Sequence, residues 1–222
     1  ERWKELCPDF EFIRWDETNC DMNANEYVRG AYQSGKWAFV SDYFRLKALY
    51  EQGGVYLDTD VELLRPFGDL LELSGFAGFE DAEHVATCVL GAEKEHGFFR
   101  QAMELYEGRT FLREGGEPDL TTNVEILTGL LGRNGLEPDG ARQSVMGMEI
   151  FPAEYFSPRS LETGKLTKTG NTYAIHWFEA SWQTGSQRFH RKVAQVIGKK
   201  NTERLKKLLG RSGGPESSGR SG

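Results

Sequence analysis

From position 36 to position 50 the chain contains neither Gly nor Pro. Trp37, Val40, Phe44 and Ala48 recur there at the spacing of one helical face, with Phe39, Tyr43, Leu46 and Tyr50 beside them. A helix apolar nearly all round is expected to be buried. Asp42 and Arg45 interrupt it three residues apart, on one face and in the stripe shared by Ala38 and Leu49. Charges in such a place cost solvation and are retained for a purpose. Gly53 and Gly54 end the helix where positive φ is cheapest, and Val55, Tyr56 and Leu57 have the composition of an interior strand. Asp58 and Asp60 follow. In extended chain, the period of two sends both carboxylates from one face, together with Tyr56, while Thr59 points away.

The rest of the pattern alternates helix and strand. A helix over 1–6 closes at Pro8, 10–15 alternates like a strand, and 26–34 is a short helix behind the capping residues of 21–25. Extended chain is expected over 61–64, a helical turn over 68–73, strands over 75–79 and 85–91, and a helix over 96–107. Residues 113–118 are polar and glycine-rich, a loop and a candidate for mobility. Thr121, Thr122 and Asn123 precede an apolar helix over 124–131; they either cap it in the ordinary way or leave its free N–H groups facing an anion. A strand is expected over 145–151, an aromatic loop over 152–158 and a last strand over 172–177. This order predicts a layered α/β fold with a central mixed sheet.

Composition narrows the class. With 222 residues, 38% hydrophobic and 12% aromatic, the chain fits one soluble domain with a full core. No apolar run approaches a membrane span and no signal peptide is visible. Cys7, Cys20 and Cys88 lack metal-ligand spacing and read as reduced thiols of a cytoplasmic protein. The net charge of −7 argues against a nucleic-acid partner. That charge is unevenly spread, with +8 on residues 188–211 and −15 on the remainder. The basic stretch is amphipathic, so it is expected either to lie on an anionic membrane surface, placing the protein at the inner membrane face, or to pack on the acidic body. Residues 212–222 are low in complexity and expected to be disordered unless a partner orders them. The domain boundaries that follow are 1–187, 188–211 and 212–222.

Two carboxylates at the carboxyl end of a strand are hard ligands for Mg²⁺ or Mn²⁺ carrying a phosphorylated molecule. Ser41, Asp42, Arg45, Leu49, Gly53, Gly54, Tyr56, Asp58 and Asp60 spell S-D-x-x-R-x-x-x-L-x-x-x-G-G-x-Y-x-D-x-D. This string resembles the DXD sugar-binding region of a glycosyltransferase family. The family includes bacterial capsular and exopolysaccharide transferases, yeast mannosyltransferases that extend glycans and sphingolipids and, distantly, the catalytic domains of glucosylating toxins. The resemblance extends from Glu1 to about Trp182 and implies a GT-A type fold, with the family's first strand absent from this chain.

By that resemblance the protein is a metal-dependent hexosyltransferase of polysaccharide biosynthesis. It takes sugar from a nucleotide diphosphate sugar, with UDP the expected carrier, and passes it to a glycan or lipid-linked acceptor with retention. Asp58, Asp60 and His176 are the implied metal ligands. Asp42 and Arg45 bind donor sugar and share the catalytic role with the two aspartates. Ala38 leaves room for the donor, Tyr56 lines its pocket, and Asn123 contacts its sugar. His176, Ser181 and Trp182 fall in H-W-x-x-x-S-W, which resembles the family's C-terminal motif over metal and pyrophosphate. A non-catalytic nucleotide-sugar or glycan-binding module of the same fold, and a phosphohydrolase, are the other classes a D-x-D pattern admits.

Overall fold

The computed structural model describes residues 2–161 and 163–178. Among them are five helices, α1 (Arg2–Leu6), α2 (Glu26–Gln33), α3 (Trp37–Gln52), α4 (Gly97–Glu104) and α5 (Asn123–Arg133). Seven strands accompany them: β1 (Gly54–Leu57), β2 (Val61–Leu63), β3 (Gly75–Gly78), β4 (Val89–Ala92), β5 (Gln143–Val145), β6 (Met148–Phe151) and β7 (Ala174–His176). By internal packing the chain divides into two units, Glu1–Ser160 with Leu166–Trp182, and Leu161–Lys165 with Gln183–Gly222. Every helix and strand named here belongs to the first.

Five strands form one mixed sheet in the order β1-β4-β3-β6-β5. β4 is antiparallel to both β1 and β3, and β6 is parallel to β3. The carboxyl ends of β1, β3 and β6 therefore lie at one end of the sheet, which is where open α/β sheets bind ligands. Alternation along each strand builds two cores. Ala77, Leu90 and Ile150 pack with α2 to α5 on one face. Their sequence neighbours Phe76, Val89 and Phe151 pack on the other with Phe67, Phe156, Tyr173 and the small sheet β2-β7. Gly91 permits this layering, because a Cβ there would stand 2.1 Å from the Phe76 ring.

Most expected elements are present, and the mixed α/β architecture is as predicted, with a five-stranded mixed sheet consistent with a GT-A type fold. Four details differ. Trp37 is half exposed, since it opens α3 and projects beyond the packed turns. β1 stands at the edge of the described sheet, not inside it. Residues 10–15 form no strand, because no described strand pairs with them, and Phe10, Phe12 and Ile13 are exposed. The strand expected over 145–151 is a hairpin. Met146 and Gly147 carry φ of 54° and 78° and fold β5 back onto β6, as a two-residue turn between twisted strands requires.

No described helix is long and apolar enough to cross a membrane. The three cysteines are free and buried. The basic stretch 188–211, the segment 212–222, and Ser181 and Trp182 lie outside the described residues.

Candidate active site

The site begins in α3, which carries its charges inward. Arg45 and Asp42 lie on one face at i and i+3 and pair at 3.0 Å, their side chains only 6% and 12% exposed. Arg45 has no unused donor direction. It donates to the Thr87 carbonyl at 2.9 Å and the Thr87 hydroxyl at 3.0 Å, reaches Ser41, and stands 3.4 Å from Asp58 Oδ1. Its guanidinium carbon lies 4.8 Å from the Tyr56 ring centroid, and the Tyr56 hydroxyl donates to Asp58 Oδ1 at 2.8 Å. Burial pushes the Asp42 carboxyl up to about 6; Arg45 pulls it back and Asp58 adds to the rise.

Gly53 makes the next step possible. Its φ of 70° ends α3 with an N–H to the Leu49 carbonyl, and a Cβ would meet Lys94 N at 2.7 Å. β1 then delivers Asp58 at the carboxyl end of the sheet. The two aspartates do not diverge from one face of a strand, as strict alternation predicts. They sit on a turn in which the Val61 N–H donates to the Asp58 carbonyl at 3.1 Å, so the chain reverses between β1 and β2. That turn is pinned from outside by the Asp58 N–H on the Cys88 carbonyl and by the Trp177 N–H on the Asp60 carbonyl.

β7 brings the C-terminal motif to it. Val61 pairs with His176, and His176 Nε2 lies 3.2 Å from Asp60 Oδ1. The indole N–H of Trp177 donates to Glu62 at 3.0 Å. Burial works against charge on His176, yet the hydrogen bond to Asp60 and the nearby Cys88 outweigh it and push the imidazole up to about 10. Asp58, Asp60 and His176 place ligand atoms within 4.8 Å of one another. His176 Nδ1 is buried with no hydrogen-bond partner among the described residues. Two carboxylates and an imidazole with one orphaned ring nitrogen fit a divalent cation.

Thr122 caps α5 through a capping box with Glu125. Asn123, in the first turn, is buried; it donates its side-chain amide to Tyr106 at 2.8 Å and turns its backbone N–H to Asp42. Asn123 Oδ1 is left without a partner among the described residues. The ordinary cap is thus realised by Thr122, and the Asn123 N–H turns to a carboxylate of the protein itself. Ala38, half-buried one turn before Asp42, accepts the Ser41 hydroxyl through its carbonyl.

Two contributors were not anticipated. Thr87 holds Arg45, and its trace in the sequence is a hydroxyl in the apolar run from Val85 to Leu90. Glu80 stands just beyond β3, among the electrostatic neighbours of His176 and Asp58.

An Asp-x-Asp turn, a facing histidine and a buried Asp–Arg pair thus gather at the carboxyl end of a mixed sheet, the end where open α/β sheets bind ligands. The family described as "Glycosyltransferase sugar-binding region containing DXD motif" matches residues 1–77, from α1 into β3. The chain is also 29% identical over 103 residues to "Inositol phosphoceramide mannosyltransferase 3" of Schizosaccharomyces pombe. That match covers 45% of this chain and 29% of the relative's length. No solved structure matches.

Proposed function

We propose that this chain is the catalytic part of a metal-dependent glycosyltransferase that moves a hexose from a nucleotide diphosphate sugar to a hydroxyl of a glycan or lipid-linked acceptor. The observation that carries this reading is the convergence of Asp58, Asp60 and His176 beside the buried Asp42–Arg45 pair. Mn²⁺ or Mg²⁺ bound there supplies a Lewis acid for the charge of the departing diphosphate. Asp42, fixed by Arg45 and by the α5 N-terminus, accepts hydrogen bonds from donor sugar hydroxyls, and the orphaned Asn123 Oδ1 accepts another. Tyr56 holds Asp58 in place.

In the reaction an acceptor hydroxyl oxygen gives a lone pair to the anomeric carbon. The bond to the diphosphate oxygen breaks with its electrons going to that oxygen, which also receives the hydroxyl proton. Attack from the side of departure gives retention.

The test is a thermal-shift and hydrolysis screen of UDP-glucose, UDP-galactose and GDP-mannose with and without Mn²⁺; the last is included because the relative is named a mannosyltransferase. A shift and nucleotide diphosphate release that both require Mn²⁺ are expected. A shift without release would leave a binding module. Phosphate release from p-nitrophenyl phosphate, with no response to any donor, would make it a phosphohydrolase.

A further inference from the structure

Asn123 begins α5 beside Asp42, but its side-chain amide has two ends of opposite hydrogen-bonding character, and only one of them can face the donor. Tyr106 decides which. It follows α4 by two residues, its N–H donates to the Met103 carbonyl at 2.8 Å, and it is fully buried. Tyr27 packs edge-on against its ring with centroids 4.9 Å apart, Tyr43 does so at 5.8 Å, and the Arg109 guanidinium carbon lies 5.7 Å from its centre. Arg109 is itself held by Asp119 at 2.6 Å. Tyr43 is the neighbour of Asp42 in α3, so the ring stands against the helix that carries the Asp42–Arg45 pair.

A phenol is not needed for this packing. Phe would meet Tyr27, Tyr43 and Arg109 equally, whereas a buried hydroxyl is costly unless it is hydrogen-bonded. The Tyr106 hydroxyl is bonded, for it accepts from Asn123 Nδ2 at 2.8 Å. With Nδ2 held there, Oδ1 is the end left over, buried and without a partner among the described residues. This orientation leaves the cheaper group unpaired, since an unsatisfied carbonyl oxygen is better tolerated in an interior than an unsatisfied N–H. Asp42, to which the Asn123 backbone N–H turns, is a second acceptor. An amide oxygen and a carboxylate together call for hydroxyl hydrogens.

We propose that Tyr106 is a positioning residue that sets the hydrogen-bond polarity of the donor-sugar site: by holding Nδ2 it presents Asn123 Oδ1 to the donor, so that one sugar position is read as a hydroxyl that donates, and fluorine there is rejected. This rests on the transferase reading and adds a determinant of donor selectivity to it. A C–F group is close to a hydroxyl in size but has no hydrogen to give, so it meets Oδ1 as one acceptor against another. Without the Tyr106 hydroxyl nothing favours one end of the amide over the other, and a flipped amide offers its N–H groups to hydroxyl and fluorine alike.

The experiment measures Kd by titration calorimetry in Mn²⁺ for UDP-glucose, UDP-galactose and GDP-mannose, and for their monodeoxyfluoro analogues at each hydroxyl position of the sugar. It compares the parent with Tyr106→Phe and Asn123→Ala. The parent is expected to bind at least one analogue about tenfold more weakly than the corresponding natural donor, as loss of a hydrogen bond with the acceptor left unpaired does. Asn123→Ala should lose discrimination at the position that Asn123 reads. Tyr106→Phe should lose it at the same position and keep it wherever Asn123→Ala keeps it. A general loosening of the fold weakens all donors together and moves no ratio, so a selective loss does not arise from misfolding. Discrimination kept in full by either variant, equal weakening of every ligand in Tyr106→Phe, or a parent that rejects no analogue would overturn the role of Tyr106 while donor binding by the parent upholds the transferase reading. A parent that binds none of the donors removes that reading and the proposal with it.

Discussion

Arg45 and His176 are the two nitrogen-bearing side chains that face the carboxylates of the site, and their surroundings are opposite. Arg45 is enclosed: Asp42, Asp58, both oxygens of Thr87, Ser41 and the Tyr56 ring occupy it. Burial opposes its charge, but Asp58 and Asp42 outweigh that and lock the guanidinium on. His176 has one carboxylate at 3.2 Å and a buried ring nitrogen with no hydrogen-bond partner among the described residues. The first region is complete before any ligand arrives. The second has charges and lone pairs that a ligand must finish. Preorganisation at Arg45 and incompleteness at His176 are the two halves of a binding site, one giving orientation and the other affinity.

The largest effect is expected at the incomplete end. Asp60→Asn keeps the shape of the turn and removes the charge that faces His176. Mn²⁺-dependent donor binding should fall by more than the roughly 10–100-fold typical of losing an outer-shell partner. Stability should fall by about 1–3 kcal/mol, as for a largely buried charge-assisted hydrogen bond. Donor-induced thermal shift and urea melts on the same preparations separate the two. Turnover at the parent rate by the Asn variant would mean the three ligand atoms hold no metal.

At the enclosed end the balance reverses. Arg45→Met leaves Asp42 and Asp58 buried near each other without their cation, a loss of about 3–5 kcal/mol, measured as a drop in urea midpoint. Adding Asp42→Asn restores part of it, but not all, because Arg45 also compensates Asp58 at 3.4 Å. Activity stays lost in the double variant. Full recovery of stability would show that Asp58 needs no cation from α3, and recovery of activity would make the pair merely structural.

The contrast also explains what could be read along the chain. Asp42 and Arg45 were legible because both lie on one helix, where a spacing of three fixes a shared face, and the Gly53–Gly54 break follows from backbone conformation alone. The Asp58–Asp60 geometry was not. Strand alternation grouped the two aspartates for the wrong reason, since the turn is set by the Asp58 N–H bonding to the Cys88 carbonyl and the Trp177 N–H bonding to the Asp60 carbonyl, segments distant along the chain. The β5–β6 hairpin was missed because Met146 adopts a positive φ that its residue type does not advertise. Thr87 enters only through the sheet order, which places the start of β4 beside the end of β1. His176 was grouped with Asp58 and Asp60 only by resemblance to a family motif; the physical reason it meets Asp60 is the pairing of β7 with β2.

Asp119 sharpens the comparison by being complete yet outside the Asp58–Asp60–His176 group. Asp119 accepts from Arg109 at 2.6 Å, from Arg113 at 3.2 Å and from the Thr121 hydroxyl and N–H at 2.7 and 3.2 Å. It thereby closes the segment expected to be a mobile loop, where Leu112 bridges Pro118 and the Arg113 N–H meets the Glu117 carbonyl. Burial favours its neutral form, but the Thr121 and arginine donors outweigh burial and hold the carboxyl well below the ordinary range. A depressed native pKa contributes stability that is present above the unfolded value of about 3.9 and is lost as pH falls toward the native one. Asp119→Asn should therefore cost about 1–2 kcal/mol at pH 7, discounted from a fully buried network because Arg113 is exposed. The gap between parent and variant should stay constant down to about pH 5 and narrow by pH 3. Urea midpoints at the three pH values give the answer. A gap that does not narrow would mean that the charge of Asp119 contributes nothing, and that its side chain holds the turn by shape and neutral hydrogen bonds alone.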